Sequence, residues 1–183
     1  MKAIARTLLF ALACLAAPAH AQAPPTDRLA PVAALVGDWT GVGEGQPGTS
    51  ASTRHATRIQ AGHFIMVEGR SVYPPQDRNK TGEVHTSLDV WSYDTARKRL
   101  MLRQFDSLGF VSTYAQDLDR SRDRWVVMVS EHLENVPAGW RARYTYEFAG
   151  PNAYREHFEL DAGKGLETYV SGKYLRDRAA TDR

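Results

Sequence analysis

The sequence predicts an all-β protein: a single antiparallel up-and-down barrel of about ten strands with a short N-terminal helix. Three observations predict it. Beyond residue 37 no segment of any length has helical periodicity. Runs of alternating, β-branched and aromatic residues recur instead, split by turn residues. Every link between runs is too short for a crossover helix, so neighbours in sequence pair antiparallel.

Residues 1–21 read as an address. Lys2 and Arg6 make a basic start, Leu8 to Ala17 is a short apolar stretch closed by Pro18, and Ala19-His20-Ala21 is an A-x-A cleavage site. This pattern predicts a secretory signal peptide removed after Ala21, and hence a periplasmic or secreted protein. Cys14 would suit lipidation, but Ala11 stands where a lipoprotein signal carries a bulky aliphatic residue. Residues 22–34 form a Pro/Ala-rich leader and a short helix, capped by Thr26 or Asp27, reaching Leu35 and ended by Gly37. Residues 35–176 form the barrel, and 177–183 a polar tail.

The expected strands are 38–45, 52–60, 63–73, 83–93, 98–105, 109–117, 123–132, 139–149, 152–160 and 165–175. The separators carry turn chemistry, among them Ala61-Gly62, the loop Tyr73 to Lys80, Leu108-Gly109, Val136 to Gly139, Gly150-Pro151-Asn152 and Asp161 to Gly165. The first strand places Trp39, Gly41, Gly43 and Gly45 on one face. A strand that gives up three side chains on one face weakens itself unless the space is used, for curvature or for close approach of a neighbour or ligand.

Alternation then assigns faces. In 139–149, Trp140, Ala142, Tyr144, Tyr146 and Phe148 point inward. In 152–160, Tyr154, Glu156, Phe158 and Leu160 share one face and His157 lies on the other. In 165–175, Leu166, Thr168, Val170, Gly172 and Tyr174 share a face. Strand 83–93 groups His85, Ser87, Asp89, Trp91 and Tyr93. Strands 63–73 and 123–132 are apolar on both faces, which leaves their orientation open.

Removal of the signal takes away the chain's one cysteine, so the mature protein forms no disulfide. It also removes two of the 23 basic residues, which then match the 21 acidic ones. A near-neutral chain has no overall field to attract nucleic acid or an anionic membrane. No later segment is apolar enough to cross a bilayer as a helix.

The remaining histidines, His55, His63, His85, His132 and His157, are scattered singly, and nothing predicts three or four converging metal ligands. His85 and His132 are the better interior candidates, because their faces also carry Trp91 or Met128. Glu68, Glu131 and Glu156 are possible inward carboxylates, with Arg70 or Arg103 as partners. An interior charge must be paired or wet. Such a couple serves as a structural pair, as an anchor for a ligand head group, or as a general acid–base. There is no G-x-S-x-G, no mature cysteine and no patterned Ser–His, so no catalytic residue is assigned. Gly41 to Gly45 lacks the spacing of a dinucleotide fingerprint and no helix follows it.

At Leu35, Gly37, Trp39, Gly41, Gly43, Glu44 and Gly45 the chain resembles the opening strand of the nitrobindin-like haem-binding barrels, which belong with the lipocalin-like (calycin) folds. The helix-then-strand order and the strand count are similar over most of 26–175. The stretch from Ser71 to Phe105 resembles a family of exported bacterial barrel proteins that brings no assigned activity. The resemblance implies haem as a cofactor. However, Gln46-Pro47-Gly48-Thr49 replaces the family's Tyr-Pro-Thr-Ile segment, and the tail after the last strand contains no histidine. No residue inherits the haem ligand by position, and a haem would take His85 or His132 instead.

The leading expectation is an exported, non-enzymatic carrier or sensor of a small, mainly apolar ligand. Its expected lining is Trp39, Trp91, Tyr144, Tyr146 and Glu156, with Arg103 as head-group partner. The alternatives are a haem protein, a barrel enzyme using an inward Glu, and an envelope domain of purely structural role.

Overall fold

The computed structural model describes residues 26–177. The signal peptide, Cys14, residues 22–25 of the leader and all of the polar tail beyond Asp177 lie outside the described residues.

A 3₁₀ helix, Ala30–Leu35, precedes ten strands: β1 (Gly37–Gly45), β2 (Gly48–Ile59), β3 (Phe64–Tyr73), β4 (Glu83–Asp94), β5 (Arg99–Asp106), β6 (Val111–Gln116), β7 (Trp125–Glu134), β8 (Arg141–Phe148), β9 (Ala153–Asp161) and β10 (Glu167–Arg176). Each strand pairs antiparallel with its sequence neighbours, and β1 pairs with β10, so the sheet closes into a barrel without edges. All ten expected strands are present with boundaries within a few residues. The helix is shorter than expected and starts at Ala30, with Pro31 in its first turn. Asp27 shapes the turn before it instead of capping it: its Oδ1 accepts from the Leu29 amide at 3.0 Å.

The two ends of the barrel differ. At one end the helix presses Leu29, Val32 and Leu35 onto Trp39, Trp91, Leu100, Leu102, Val126, Met128, Phe148 and Tyr154, all buried. Each large apolar side chain sealed there stabilises the fold by about 2 kcal/mol. The Trp39 indole donates to the Leu35 carbonyl at 2.7 Å, which fixes the angle at which the helix meets β1. Arg176 donates to the carbonyls of Val36 (2.8 Å) and Ala34 (3.0 Å), hooking the last strand to the helix. The opposite end carries the β1–β2, β3–β4, β5–β6, β7–β8 and β9–β10 connections and is open. There the Gln76 amide binds both backbone groups of Thr49, at 2.8 and 2.9 Å, and ties the β3–β4 loop to the first hairpin.

The glycine face of β1 is filled by its neighbours. A Cβ on Gly41 would lie 2.5 Å from the Tyr174 ring and 2.6 Å from the Lys173 carbonyl oxygen. One on Gly45 would lie 2.1 Å from the Tyr169 carbonyl oxygen. Strand β10 therefore rides close over β1, and Tyr174 lies inside, stacked on Tyr154 at 4.7 Å.

Two β-bulges correct the assigned faces. In β7, Tyr114 faces Ser130 while Thr113 faces His132, so Glu131 is an extra residue. Past it the alternation reverses: Leu133 turns inward and His132 outward, its side chain 68% exposed beside Glu134. In β10 the register slips between Thr168 and Val170, so Thr168 leaves the face it was expected to share with Val170, Gly172 and Tyr174, and Leu166 is exposed.

Candidate functional site

The open half of the barrel contains a cavity of about 350 Å³. The inner faces of β2 to β10 build it. Its wall is aromatic and aliphatic: Tyr73, Tyr114, Leu133, Trp140, Tyr144, Phe158, Leu160, Tyr169 and Val170. Leu108 and Phe110 stand at the mouth, both partly exposed. Ring contacts run up the wall, from Tyr146 to Tyr144 (5.8 Å), Tyr144 to Phe158 (4.6 Å) and Phe158 to Tyr169 (5.9 Å).

The floor is polar. Arg54 of β2 and Glu156 of β9 meet there, Nη2 to Oε1 at 3.9 Å, with side chains 13% and 14% exposed. The Arg54 guanidinium also lies 5.1 Å from the centre of the Tyr174 ring. Asp89 of β4 is 7% exposed and pairs in register with Gln104 of β5. Gln104 in turn accepts from the Tyr144 hydroxyl at 3.3 Å. Asp89 Oδ1 has no hydrogen-bond partner among the described residues. A serine ladder, Ser50, Ser52 and Ser71, continues the polar side toward the mouth, with Ser52 and Ser71 hydroxyls 2.8 Å apart.

Burial governs the protonation of this floor. It pushes the Asp89 carboxyl up to about 7; Arg54 opposes the shift, and the Glu156 charge reinforces it. Burial also raises Glu156, against the pull of Arg54 and His157. Burial works against the Arg54 charge, but the negative charge of Glu156 and Asp89 is among the causes that outweigh it and hold the guanidinium above its ordinary value. One guanidinium thus serves two carboxyl groups, both held above the ordinary carboxylate range by burial. Burial holds Tyr114, Tyr144, Tyr146, Tyr154 and Tyr174 above the ordinary phenol value, so they present neutral hydroxyls.

The structure separates the residues expected to line the site. Tyr144 and Glu156 line the cavity. Trp39, Trp91 and Tyr146 sit one layer deeper, in the packed core against the helix, with Trp91 edge-on to Tyr146 at 5.1 Å. Arg103 is a correction: it is exposed on the outer face of β5, where it donates to the Ser92 hydroxyl at 3.2 Å. Leu100 and Leu102 take the inner face of that strand, which sends Arg103 out and brings Gln104 in. Glu68 and Arg70 are exposed on the outside of β3, and Glu131 is exposed on β7, paired with Arg97. Of the three expected carboxylates only Glu156 reaches the interior. Arg54, Asp89 and Gln104 were not singled out from the sequence. Asp89 had a usable signal in the alternation it shares with Trp91 and Tyr93. Arg54 lies in a Ser/Thr-rich strand without apolar alternation.

Haem requires an axial donor over an apolar face. His85 lines the cavity near the mouth; its ring packs 5.4 Å from Tyr73, and its buried Nε2, 3.0 Å from Glu83 Oε2, makes no hydrogen bond among the described residues. The floor beyond it carries Arg54, Asp89 and Glu156, groups that a buried macrocycle would leave desolvated. Among the described residues no three His, Cys, Asp or Glu side chains converge on a metal position.

No protein-family model matches the chain, and no curated protein matches it. Among solved structures it is similar to Rv2717c from M. tuberculosis, with a TM-score of 0.60 at 12% identity over 82% of this chain and 98% of that one. A redesigned β-barrel is similar at a TM-score of 0.38 and 10% identity, over 79% of this chain and 93% of that one. The likeness to Rv2717c supports the barrel fold alone. The chain is a ten-stranded antiparallel β-barrel, and its likeness to Rv2717c agrees with that fold.

Proposed function

We propose that this is an exported barrel that binds a small, mainly apolar molecule with a polar head group, as a carrier or sensor. One observation carries the reading: a closed barrel, sealed at one end by a helix, keeps a cavity of about 350 Å³ with an aromatic wall and a polar floor. Small-molecule sites have this form, concave and mostly apolar with a few fixed polar groups. A barrel with a purely structural role would gain stability by filling that space. The opening strand, with Trp39 and its glycine face, supports placing the chain near the nitrobindin-like and lipocalin-like barrels.

The test is a titration with the neutral fluorophore N-phenyl-1-naphthylamine. Saturable one-to-one binding is expected, lost in Leu160→Trp, which fills the upper cavity, while the thermal midpoint of that variant stays near wild type. Absence of binding, or equal binding by the variant, overturns the proposal.

A second reading has one specific support. Glu156 is a buried carboxyl raised by its surroundings at the floor of a cavity, a favourable setting for a general base. It predicts turnover of a small apolar substrate that Glu156→Gln abolishes while binding persists.

A further inference from the structure

We infer that the cavity takes an organic cation, a protonated amine on an apolar body, with its ammonium group seated against Glu156 and above the buried Asp89. The inference rests on the small-molecule reading above and names the class of ligand.

Charge in the lower cavity is the first argument. Among the described residues Arg54 is the one guanidinium at the floor, and it faces Glu156 at 3.9 Å and the nearby Asp89. Asp106 adds a further carboxylate higher on the wall. A ligand carboxylate would therefore meet an arginine already opposed by acids, at the cost of like-charge repulsion. An ammonium would complete the set. The second argument is Asp89 itself. More than nine-tenths buried on the inner face, it leaves Oδ1 without a partner among the described residues, an arrangement that ordinarily costs stability. It lies beneath the cavity surface, two residues deeper along β4 than Ser87, which lines the cavity, so its charge acts on the floor from just below. The third is the wall: Tyr144, Tyr114 and Phe158 line it, and aromatic rings attract a cation and not an anion.

Binding is then linked to pH. Ionised Asp89 attracts the ammonium above it, whereas below its raised range Asp89 carries a proton that must leave. Besides His85 on its own strand, Asp89 is faced by Arg54, Asp106 and Glu156 and by Tyr114, Tyr144, Tyr146 and Tyr154. Those phenols stay neutral throughout. An alkylammonium stays protonated across the same range, as lysine does. Affinity for the amine therefore rises with pH, and a proton is released on binding.

The experiment is calorimetric titration of the protein with n-octylamine, 1-octanol and octanoate, which share one apolar body, at about pH 5.5 and about pH 8. At the higher pH octylamine is expected to bind about tenfold or more tightly than octanoate, and its own affinity to gain about tenfold between the two conditions. Octanol is expected to be indifferent to pH. Asp89→Asn, folded by circular dichroism, is expected to lose the pH dependence of octylamine. Octanoate binding as tightly as octylamine, or an octylamine affinity flat in pH, overturns the inference and leaves the small-molecule reading standing. A pH dependence unchanged in Asp89→Asn overturns the seat above Asp89. Failure of all three probes to bind overturns both readings.

Discussion

The guanidinium of Arg176 lies 4.3 Å from the centre of the Trp39 ring, and this contact joins the last strand to the first. The same side chain donates to Ala34 and Val36 at the end of the helix and to Pro151 in the β8–β9 turn. Arg176 is thus a clasp between the helical plug and the barrel wall. Hydrogen bonds from a charged donor contribute more than neutral ones. Arg176→Ala is expected to destabilise the protein by about 2 kcal/mol in urea unfolding. A loss within the range of ordinary surface substitutions would show that the helix is held by packing alone.

Asp89 makes stability depend on pH in a predictable direction. Its carboxyl is raised from 3.8 to about 7, so between those values the folded chain keeps a proton that the unfolded chain releases. Stability at this site is therefore present in acid and is lost as pH rises toward neutrality. Asp89→Asn removes the titration. The variant is expected to be more stable than wild type at about pH 8, by on the order of 3 kcal/mol, and the gap is expected to close in acid. Thermal midpoints across the pH range measure it. A gap independent of pH would mean that Asp89 is ionised throughout.

Arg54 is expected to be the most costly single truncation at the cavity floor. Arg54→Met leaves Glu156 and Asp89 without their cation, and breaking a buried pair in this way costs roughly 3–5 kcal/mol. Adding Glu156→Gln to Arg54→Met is expected to recover part of the loss. A double-mutant cycle in urea supplies the coupling; simple additivity would dissolve the pair as an energetic unit.

Gly41 leaves no room for a methyl group. Both Tyr174 and the Lys173 carbonyl would have to move. Gly41→Ala is expected to cost about 1–3 kcal/mol, as overpacking does, whereas Val42→Ala on the exposed side of the same strand is expected to cost about 0.5 kcal/mol or less. Chemical unfolding of the two variants side by side is the check.

A hemin titration is expected to show no stoichiometric Soret band that depends on His85. The His85 ring packs on Tyr73 near the mouth, and the floor it overlooks is charged. A band lost in His85→Ala would reverse this expectation.

The fold was legible because β-structure announces itself locally. Strand β8 alternates Trp140, Ala142, Tyr144, Tyr146 and Phe148 against Arg141, Arg143, Thr145 and Glu147, and that face is the inner one. The glycine face of β1 foretold a close approach, and Tyr174 makes it. The site was less legible, for three physical reasons. A bulge changes phase without changing composition, so His132 reads as inward until Glu131 is known to be extra. Strand β5 is apolar on both faces, so only its neighbours decide that Gln104 faces in and Arg103 faces out. Arg54 sits among Ser, Thr and Ala on a strand whose inner face is small so that large rings opposite can fill the barrel.

Closure through β1 and β10 also dictates an order of events. Trp39 pairs with Arg176 and Gly45 with Val170, contacts that span almost the whole described chain. Until the last strand is made, nine strands form at most an open sheet with two raw edges, and every hydrogen-bonding group on those edges invites a neighbouring molecule. Long-range contacts of this kind slow folding. The nascent chain must therefore be kept from its neighbours until its final residues arrive, and a truncation of even part of β10 is expected to yield aggregates rather than a weakened barrel.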